Sequence, residues 1–324
     1  MKTSFLSLLA LAASTLSAAN AAPATAPAGV STLKVLSFNI NALPPPIKKA
    51  KPAHYARIAE ILRERRAAGT QPDIVLLQEA FDGRSDIIAE TAGYKYVLKG
   101  PGRKDRSKKG AAHWALKTRK GYAAFQSPQK LTGSGLVILS DHPILEARHK
   151  AFDSDMCAGI DCLSNKAILF AHIDVPHMEG GLGVINSHFN SKRSAKAPGR
   201  ITFKAHKRQV ETLGWFLGKV SGDTPMLIGG DFNTRDNSRY SYFRETIPYD
   251  DTAELCIIDI VHCRIGAETA PGMVLYDTSD KQFVGRGTAA SLSPVHIERN
   301  FAEMIDGKPL SDHLGYEVHY RIGD

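Results

Sequence analysis

Four apolar segments of this 324-residue chain each end in an acid, an amide or an imidazole. In the segment 226–234, a short apolar run is followed by Gly229 and Gly230 and then by Asp231 and Asn233. Side chains at positions i and i+2 of a strand lie on one face, so this carboxylate and carboxamide would point into the same volume. The two glycines would let the backbone turn and let another group approach closely. Alone, the segment is more typical of an Asx-rich turn that closes a strand, so its meaning depends on partners elsewhere.

Candidate partners stand at the ends of the other apolar segments. They are Asn39, Glu79, His188 with Asn190, and, before the last predicted strand, the pair Asp312 and His313. Each of these residues alone is more often a satisfied structural group, but ligand sites form where several strand ends share one rim of a sheet. Five polar groups in such positions therefore predict a single site.

The oxygen donors of this set predict a metal site. The candidate set includes no cysteine and no histidine pair at zinc-binding spacing, so its oxygen donors suit a hard divalent cation such as Mg²⁺. We expect Glu79 and Asp312 to be ligands, with Asn39 close by through its amide oxygen or a water molecule. A cation held there would stabilise negative charge on phosphate oxygens and on a leaving group.

The remaining polar groups suit the hydrolysis of a phosphate ester. His188 and His313 could hydrogen-bond a phosphate or donate protons to it, and Asp231 could activate a water that Asn233 holds. The sequence contains no Gly-x-Ser-x-Gly elbow and no phosphate loop of the nucleotide-binding type, which argues against a serine hydrolase and a P-loop enzyme. The set therefore predicts metal-assisted hydrolysis of a phosphate ester.

Strands and helices that alternate along the chain would position these residues. Strands are predicted at 33–40, 74–78, within 133–144, and at 166–175, 182–190, 226–230 and 314–320, with short ones near 256–262, 272–276 and 281–284. Helices are predicted at 54–66, 85–92 and 201–217. Buried strands of this kind indicate an α/β domain with covered sheets. The hairpins between them favour a four-layer α/β/β/α sandwich with two packed mixed sheets over a doubly wound parallel sheet.

The N-terminal segment 1–22 predicts export. A single charged residue precedes an apolar run over 5–16, and small residues follow, as in a secretory signal peptide. The run is shorter than the roughly 20 residues needed to span a bilayer core. We expect cleavage near Ala21 or Ala22, and a mature chain, 23–324, that is secreted or periplasmic and forms a single catalytic domain.

The charge of the chain predicts a polyanionic partner. The formal net charge is +8 and the sequence pI is about 9.2, which favours attraction to nucleic acid, anionic lipid or envelope polymers. Basic residues concentrate at 99–120 and at 193–208. These segments could bind such a partner or be solvated loops without one, and the sequence shows no obligate protein partner.

The four cysteines fall into two close pairs, Cys157/Cys162 and Cys256/Cys263. In an oxidising compartment two local disulfides are expected. Neither pair has the spacing of a CxxC motif or of a zinc site, so a structural role is the better interpretation.

The motifs together resemble those of the endonuclease/exonuclease/phosphatase superfamily. In chain order they lie at 37–40, 77–79, 135–140, 186–188, 230–233 and 311–313, and the resemblance covers roughly residues 33–320. Three further features are similar to those of secreted bacterial neutral sphingomyelinases: Leu43-Pro44 followed by Tyr55 and Arg57, the stretch 79–82, and the stretch 157–161 followed by 164–166. The sequence departs from that branch at Ala167, at the two residues after His188, and in having no paired aromatic hairpin late in the chain, where 271–276 is the nearest candidate.

The resemblance implies specific roles for the candidate residues. Glu79 would bind Mg²⁺, with Mn²⁺ or Co²⁺ as substitutes, and Asn39 would lie nearby. Asp231 and Asn233 would position the attacking water, and His188 would stabilise the phosphate.

Two more residues would complete the rim of the site by resemblance, namely Asp312 and His313. An acid orients the last histidine in many members of the superfamily. Asp280 stands in the matching segment, although that segment lacks the expected aromatic residue, and Asp277 and Asp259 are alternatives.

Three functions remain open from the sequence. The first is hydrolysis of sphingomyelin or a related phospholipid at a membrane surface, which would release the phosphorylated headgroup. The second is a secreted nonspecific endonuclease, favoured by the positive charge. The third is a non-catalytic binding module, which would be expected to have lost members of the site.

Overall fold

The computed structural model describes residues 31–45, 47–105, 130–267, 269–275, 277–285, 287 and 291–323. The predicted signal peptide and most of the basic segment 99–120 lie outside the described residues. The chain from Ser31 onward groups into one compact unit. Within the described part, no helix has both the length and the apolar character that a membrane crossing requires.

Fifteen strands and six α-helices make up the described fold. The strands are β1 (Thr32–Ala42), β2 (Ile74–Ala80), β3 (Tyr96–Lys99), β4 (Val137–Ser140), β5 (Ile144–Ala151), β6 (Ala167–Ile173), β7 (Leu182–His188), β8 (Met226–Asp231), β9 (Asp250–Asp251), β10 (Arg264–Ile265), β11 (Asp280–Gly285), β12 (Ser291–Asn300), β13 (Met304–Ile305), β14 (Lys308–Pro309) and β15 (Gly315–Gly323). The helices are α1 (Pro52–Ala67), α2 (Asp86–Thr91), α3 (Gly199–Val220), α4 (Asn237–Thr246), α5 (Thr252–Ile258) and α6 (Pro271–Leu275), with 3₁₀ turns at Gly83–Ser85 and Gly159–Leu163.

The long strands form two mixed sheets. One has seven strands in the order β10-β12-β15-β1-β2-β4-β3, and the other has six in the order β5-β6-β7-β8-β11-β9. The parallel pairs are β1–β2 and β10–β12 in the first sheet and β7–β8 in the second, whereas the other pairs are antiparallel. A mixed sheet can carry helices on one face and a second sheet on the other.

Three apolar layers hold the sandwich together. Between the sheets, side chains such as Val35 of β1 and Leu227 of β8 belong to one buried cluster. Outside the first sheet, α1 packs through Tyr55, and outside the second, α3 packs through Leu213. Burial of each such side chain stabilises the fold by about 1.5–3 kcal/mol. The predicted four-layer α/β/β/α sandwich with two packed mixed sheets is thus confirmed.

Buried amide side chains also join the two sheets. Asn186 of β7 donates to the carbonyl oxygens of Leu77 (2.9 Å) and Val137 (3.0 Å) in the first sheet. Gln282 of β11 donates to the carbonyl oxygen of Val35 (2.9 Å). Because all these groups are buried, each hydrogen bond fixes the position of one sheet relative to the other.

In the last third of the chain, the sequence does not predict α4 and β12, and two predicted strands are not formed. The segment 256–262, expected as a strand, is the end of α5 followed by a turn, and 272–275 is helical instead of extended. Asp251 begins α5 by accepting a hydrogen bond from the backbone N–H of Ala253 (2.8 Å), a cap that outweighs the strand preference of the aliphatic run. Short apolar runs do not distinguish strand from helix without such tertiary information.

Other predictions for the last third are confirmed. Strands β11 and β15 cover the predicted 281–284 and 314–320. Both expected disulfides are formed, joining Cys157 to Cys162 and Cys256 to Cys263.

Candidate active site

The ends of five strands meet at one rim of the sandwich and bring the candidate residues together. His188, at the end of β7, is the register partner of Asp231 at the end of β8. Asp231 is in turn the register partner of Asp280 at the start of β11. From the other sheet, β1 and β2 contribute Asn39 and Glu79. The side chains of two packed sheets therefore converge on one volume.

The backbone at this rim adopts conformations that ordinary residues rarely occupy. Glu79 has φ 56° and Asn233 has φ 51°, both in the left-handed region. Such non-glycine conformations cost on the order of 1 kcal/mol or more and cluster at functional sites. Gly230 has φ 147°, and a Cβ there would lie 2.0 Å from the carbonyl oxygen of Ser187. The strand continues through Asp231, so of the two roles considered for the glycines, Gly230 serves the close approach of β7 and not a turn.

Asp231 lies at the centre of the polar cluster and is almost fully buried. Its Oδ2 accepts a hydrogen bond from Asn39 Nδ2 (3.0 Å), and its Oδ1 accepts one from the backbone N–H of Asn233 (3.0 Å). The Nε2 atoms of His188 and His313 lie 3.5 and 3.8 Å from Oδ2. A carboxylate held in this way is oriented for a fixed role as a proton acceptor.

His313 is oriented by Asp280. Its Nδ1 lies 2.8 Å from Asp280 Oδ2, which also accepts a hydrogen bond from the Thr278 hydroxyl (3.2 Å). Burial by itself lowers the pKa of His313, but the Asp280 carboxylate outweighs burial and raises the pKa to about 10. His313 is therefore a cation at neutral pH with Nε2 available as a donor. The two alternative acids face elsewhere, since Asp277 pairs with an arginine and Asp259 with an exposed histidine.

His188 has a different electrostatic environment. Burial, reinforced by the neighbouring Lys166 ammonium, lowers its pKa to about 3, so the ring is neutral at pH 7. Lys166 Nζ lies 3.1 Å from His188 Nε2, and an ammonium group has only donors, so Nε2 accepts this hydrogen bond. A phosphate contact through the same nitrogen would require His188 to exchange partners.

Lys166 belongs to the site but is not among the polar residues that the sequence places at strand ends. It precedes β6 and is buried, and its three N–H groups are directed to Asp161 Oδ2 (3.0 Å), the carbonyl oxygen of Phe189 (2.7 Å) and His188 Nε2. The signal that could have found it was the 164–166 stretch, which entered only as part of the family resemblance. Burying an ammonium group requires such complete pairing.

The two predicted asparagines have structural partners in this arrangement. Asn233 Nδ2 donates to the carbonyl oxygen of Phe189 (3.1 Å). Asn190 accepts a hydrogen bond from the backbone N–H of Ala158 (2.8 Å) and donates to the carbonyl oxygen of Ser191 (2.8 Å). Asn190 therefore anchors a loop.

Glu79 and Asn39 fit a divalent cation. Burial, with a smaller contribution from Asp231, raises the pKa of the Glu79 carboxyl to about 7 against the opposing effect of Lys166. A cation beside Glu79 would favour its ionised form, and carboxylate and amide oxygens are the donors that Mg²⁺ takes in proteins. The third predicted ligand, Asp312, is exposed at the rim, where it accepts a hydrogen bond from Asn41 and lies 3.8 Å from Lys48.

A cleft of about 520 Å³, counted with the space open to solvent, adjoins these residues. Its polar lining includes Glu79, Lys166 and His188. Four further polar residues line it, namely Thr132, Asp161, Ser164 and Ser194, and its apolar wall is formed by Leu43, Pro44, Ile47, Phe81, Ile160 and Leu163. The cleft can therefore hold a charged group at its polar end and apolar groups along its wall.

Comparison with solved structures supports the fold. The chain is similar to beta toxin from Staphylococcus aureus, in a variant crystallised with bound magnesium ions (19% identity, 89% of this chain and 99% of that chain, TM-score 0.61). It is also similar to sphingomyelinase C from Streptomyces griseocarneus (21% identity, 89% and 99%, TM-score 0.57). A third similar structure is TDP2 from D. rerio, in complex with a single-strand DNA product (17% identity, 90% and 99%, TM-score 0.59).

Comparison at the level of sequence identifies the family. A search of curated protein sequences found no match to this chain. The model of the Endonuclease/Exonuclease/phosphatase family matches residues 36–313, from the strand that carries Asn39 to His313. Because this match spans most of the chain, the protein is a member of the Endonuclease/Exonuclease/phosphatase family.

Proposed function

We propose that this protein is a secreted, Mg²⁺-dependent phosphodiesterase of the sphingomyelinase type. It hydrolyses sphingomyelin or a related phospholipid at a membrane surface and releases the phosphorylated headgroup. The predicted signal peptide and the two disulfides support export, because disulfides persist in oxidising compartments.

The observation that carries this proposal is the apolar wall of the cleft beside the polar cluster. A nucleic-acid groove is expected to carry several unpaired cations along the backbone path. In the described residues, the cleft lining includes one basic side chain, Lys166, which is already paired with Asp161. Ile47 and Phe81 offer contacts that suit the apolar part of a lipid.

The chain's own residues can perform the proposed hydrolysis. Asp231, oriented by Asn39 and Asn233, accepts a proton from the attacking water. His313, a cation at neutral pH, donates a hydrogen bond or a proton from Nε2 to the reacting phosphate ester while Asp280 holds its Nδ1. A divalent cation held by Glu79 and Asn39 would supply charge stabilisation on the phosphate oxygens.

A secreted endonuclease is the second candidate. The net charge of +8 favours it, and the similarity to TDP2 with a DNA product shows that this fold can accommodate nucleic acid. The exposed basic residues could equally attract anionic lipid, so charge does not separate the two functions.

A substrate panel separates these candidates. Purified protein with Mg²⁺ would be given vesicles of sphingomyelin, phosphatidylcholine or phosphoinositide, and supercoiled plasmid, each with and without chelator. We expect the wild type to release phosphorylated headgroup from a vesicle substrate and not to nick the plasmid. We expect Asp231→Asn to release no headgroup. Nicking that depends on Asp231, without headgroup release from any vesicle, would reject the lipid proposal and favour the nuclease.

A further inference from the structure

A second convergence of imidazoles and carboxylates lies on the other face of the seven-stranded sheet. Strands β12 and β15 are antiparallel, and their register places His296 opposite His319 and Glu298 opposite Glu317. Residues two apart on a strand lie on one face, so all four side chains project from the same face. Arg65 of α1 packs over this face, which is the one turned away from the sheet–sheet core.

We propose that these four residues form a second metal site, selective for a borderline ion such as Zn²⁺. One potential ligand atom from each of Glu298, Glu317 and His319 lies within 4.8 Å of the other two. His296 Nε2 lies 3.6 Å from Glu298 Oε2, and His319 Nε2 lies 3.0 Å from Glu317 Oε1. Ligand atoms around a tetrahedral zinc with bonds of about 2.0–2.1 Å are about 3.3 Å apart, so small side-chain movements would complete the site.

The two carboxylates of the cluster differ in how closely they are paired with Arg65. Arg65 neutralises Glu317 through hydrogen bonds of 2.6 and 2.8 Å, whereas it lies 4.0 Å from Glu298. Glu298 is thus paired only at longer distances, 4.0 Å from Arg65 and 3.6 Å from His296 Nε2, so its carboxylate can turn to an ion. Both His296 and His319 are partly exposed, which gives an ion a path from solvent.

Binding would exchange one hydrogen bond for metal ligation. His319 Nε2 now faces Glu317 Oε1, which is also a hydrogen-bond acceptor for Arg65 Nη2. On binding, His319 would carry its proton on Nδ1, and Nε2 and the released Glu317 lone pair would both turn to the ion. Arg65 would keep its contact with Glu317 and act as an outer partner that orients the ligand.

The donor chemistry separates this site from the one at Glu79. Two imidazoles with two carboxylates favour Zn²⁺ over Mg²⁺, whereas an all-oxygen set favours Mg²⁺. An ion there would join β12 to β15 and, through Arg65, both strands to α1. We therefore expect its effect on stability to be independent of catalysis.

Metal titration of the intact protein tests the site. Isothermal titration of metal-free protein with Zn²⁺, in excess Mg²⁺, should reveal one equivalent that is lost, or weakened at least about tenfold, in His296→Ala and in His319→Ala. The same Zn²⁺ should raise the Tm of the wild type more than that of either variant. His262→Ala is the matched control, because His262 is exposed and pairs with Asp259 at 2.8 Å without further ligands.

One further variant, together with the Tm of a variant already named, distinguishes this site from the catalytic rim. His313→Ala removes imidazole from the catalytic rim, and Zn²⁺ binding by the second site should survive it. If the equivalent disappears in His313→Ala and persists unchanged in His296→Ala, the ion binds at the catalytic rim and the proposal is wrong. His296→Ala should change the Tm of the metal-free protein little, because its contacts, a 3.6 Å ion pair with Glu298 and a ring contact with His319, lie at a partly exposed position.

Discussion

His313 Nδ1 and Asp280 Oδ2 are 2.8 Å apart, although the two residues are 33 positions apart in the chain. Asp280 opens β11 and His313 precedes β15, so the bond joins the two sheets at the rim of the site. The carboxylate fixes the orientation of the imidazole and raises its pKa to about 10, against the effect of burial. Without Asp280, the His313 imidazole would lose the partner that keeps it a cation near pH 7.

Replacing Asp280 should therefore change both the rate and its pH dependence. We expect Asp280→Asn to lower kcat by about 100-fold or more, since it removes the carboxylate that orients His313 and keeps it protonated. Without the carboxylate the pKa of His313 falls, so the alkaline loss of activity should begin at lower pH than in the wild type. Asp277→Asn, which removes a surface partner of Arg235, is the control and should keep the wild-type profile. An unchanged alkaline limb in Asp280→Asn would contradict the role of Asp280.

Removing the metal should abolish hydrolysis, and weakening its main ligand should raise the Mg²⁺ requirement, in both cases without unfolding the chain. Chelation should stop headgroup release, and Mg²⁺ should restore it. Glu79→Gln keeps the size of the side chain but loses the charge, so we expect at least about a tenfold higher Mg²⁺ concentration for half-maximal activity. Glu303→Gln, an exposed acid that pairs with Arg57, should titrate like the wild type. Equal Mg²⁺ curves for Glu79→Gln and wild type would exclude Glu79 as a ligand.

The apolar wall of the cleft should matter for a lipid in a bilayer. Ile47 lines the cleft and is 41% exposed, so Ile47→Ser removes apolar contact without opening the core. We expect several-fold slower hydrolysis of vesicles and little change on a soluble short phosphodiester, because only the former uses this contact. Leu145, 62% exposed on β5 and absent from the cleft lining, provides the control Leu145→Ser. Equal losses on both substrates would argue against a lipid-facing role for Ile47.

The lowered pKa of the buried His206 side chain predicts that the free energy of unfolding decreases in acid. Burial, with a further contribution from Arg239, lowers its pKa to about 3, while the unfolded chain takes up a proton near the ordinary value of 6.5. Stability is therefore lost as pH falls from 6.5 towards 3, by roughly 2 kcal/mol at about pH 5. Urea unfolding across this range should show a shallower pH dependence in His206→Gln than in the wild type. His262→Gln, at an exposed histidine, should leave the slope unchanged.

Asn186 should be critical for both stability and activity. Replacement by Leu leaves the carbonyl oxygens of Leu77 and Val137 without donors in a buried interface, at about 1–3 kcal/mol each. The same change loosens the sheet of His188 from that of Glu79, so residual folded protein should turn over more slowly. Asn237→Leu, at an exposed position, is the control in denaturant unfolding and in the activity assay. Wild-type stability for Asn186→Leu would show that these amide bonds contribute little.

The pattern of apolar strands with polar ends was sufficient to predict the four layers and most candidate residues. Local alternation identifies β1, β2, β7 and β8, and chain direction places their ends at one rim. The residue types at Glu79, Asp231 and His313 then indicate metal-assisted phosphate chemistry. Both the layers and this chemistry can be predicted because they depend on side-chain identity and on spacing along the chain.

Tertiary structure decided what pairs of distant residues do. The choice of Asp280 over Asp277 and Asp259, the buried Lys166 beside His188, and the helical state of 272–275 all depend on contacts between segments far apart in sequence. The opposite pKa shifts of His188 and His313 have the same origin, since burial acts on both rings but only His313 has a carboxylate at hydrogen-bonding distance. Side-chain identity is set locally, whereas burial and charge partners are properties of the packed sheets.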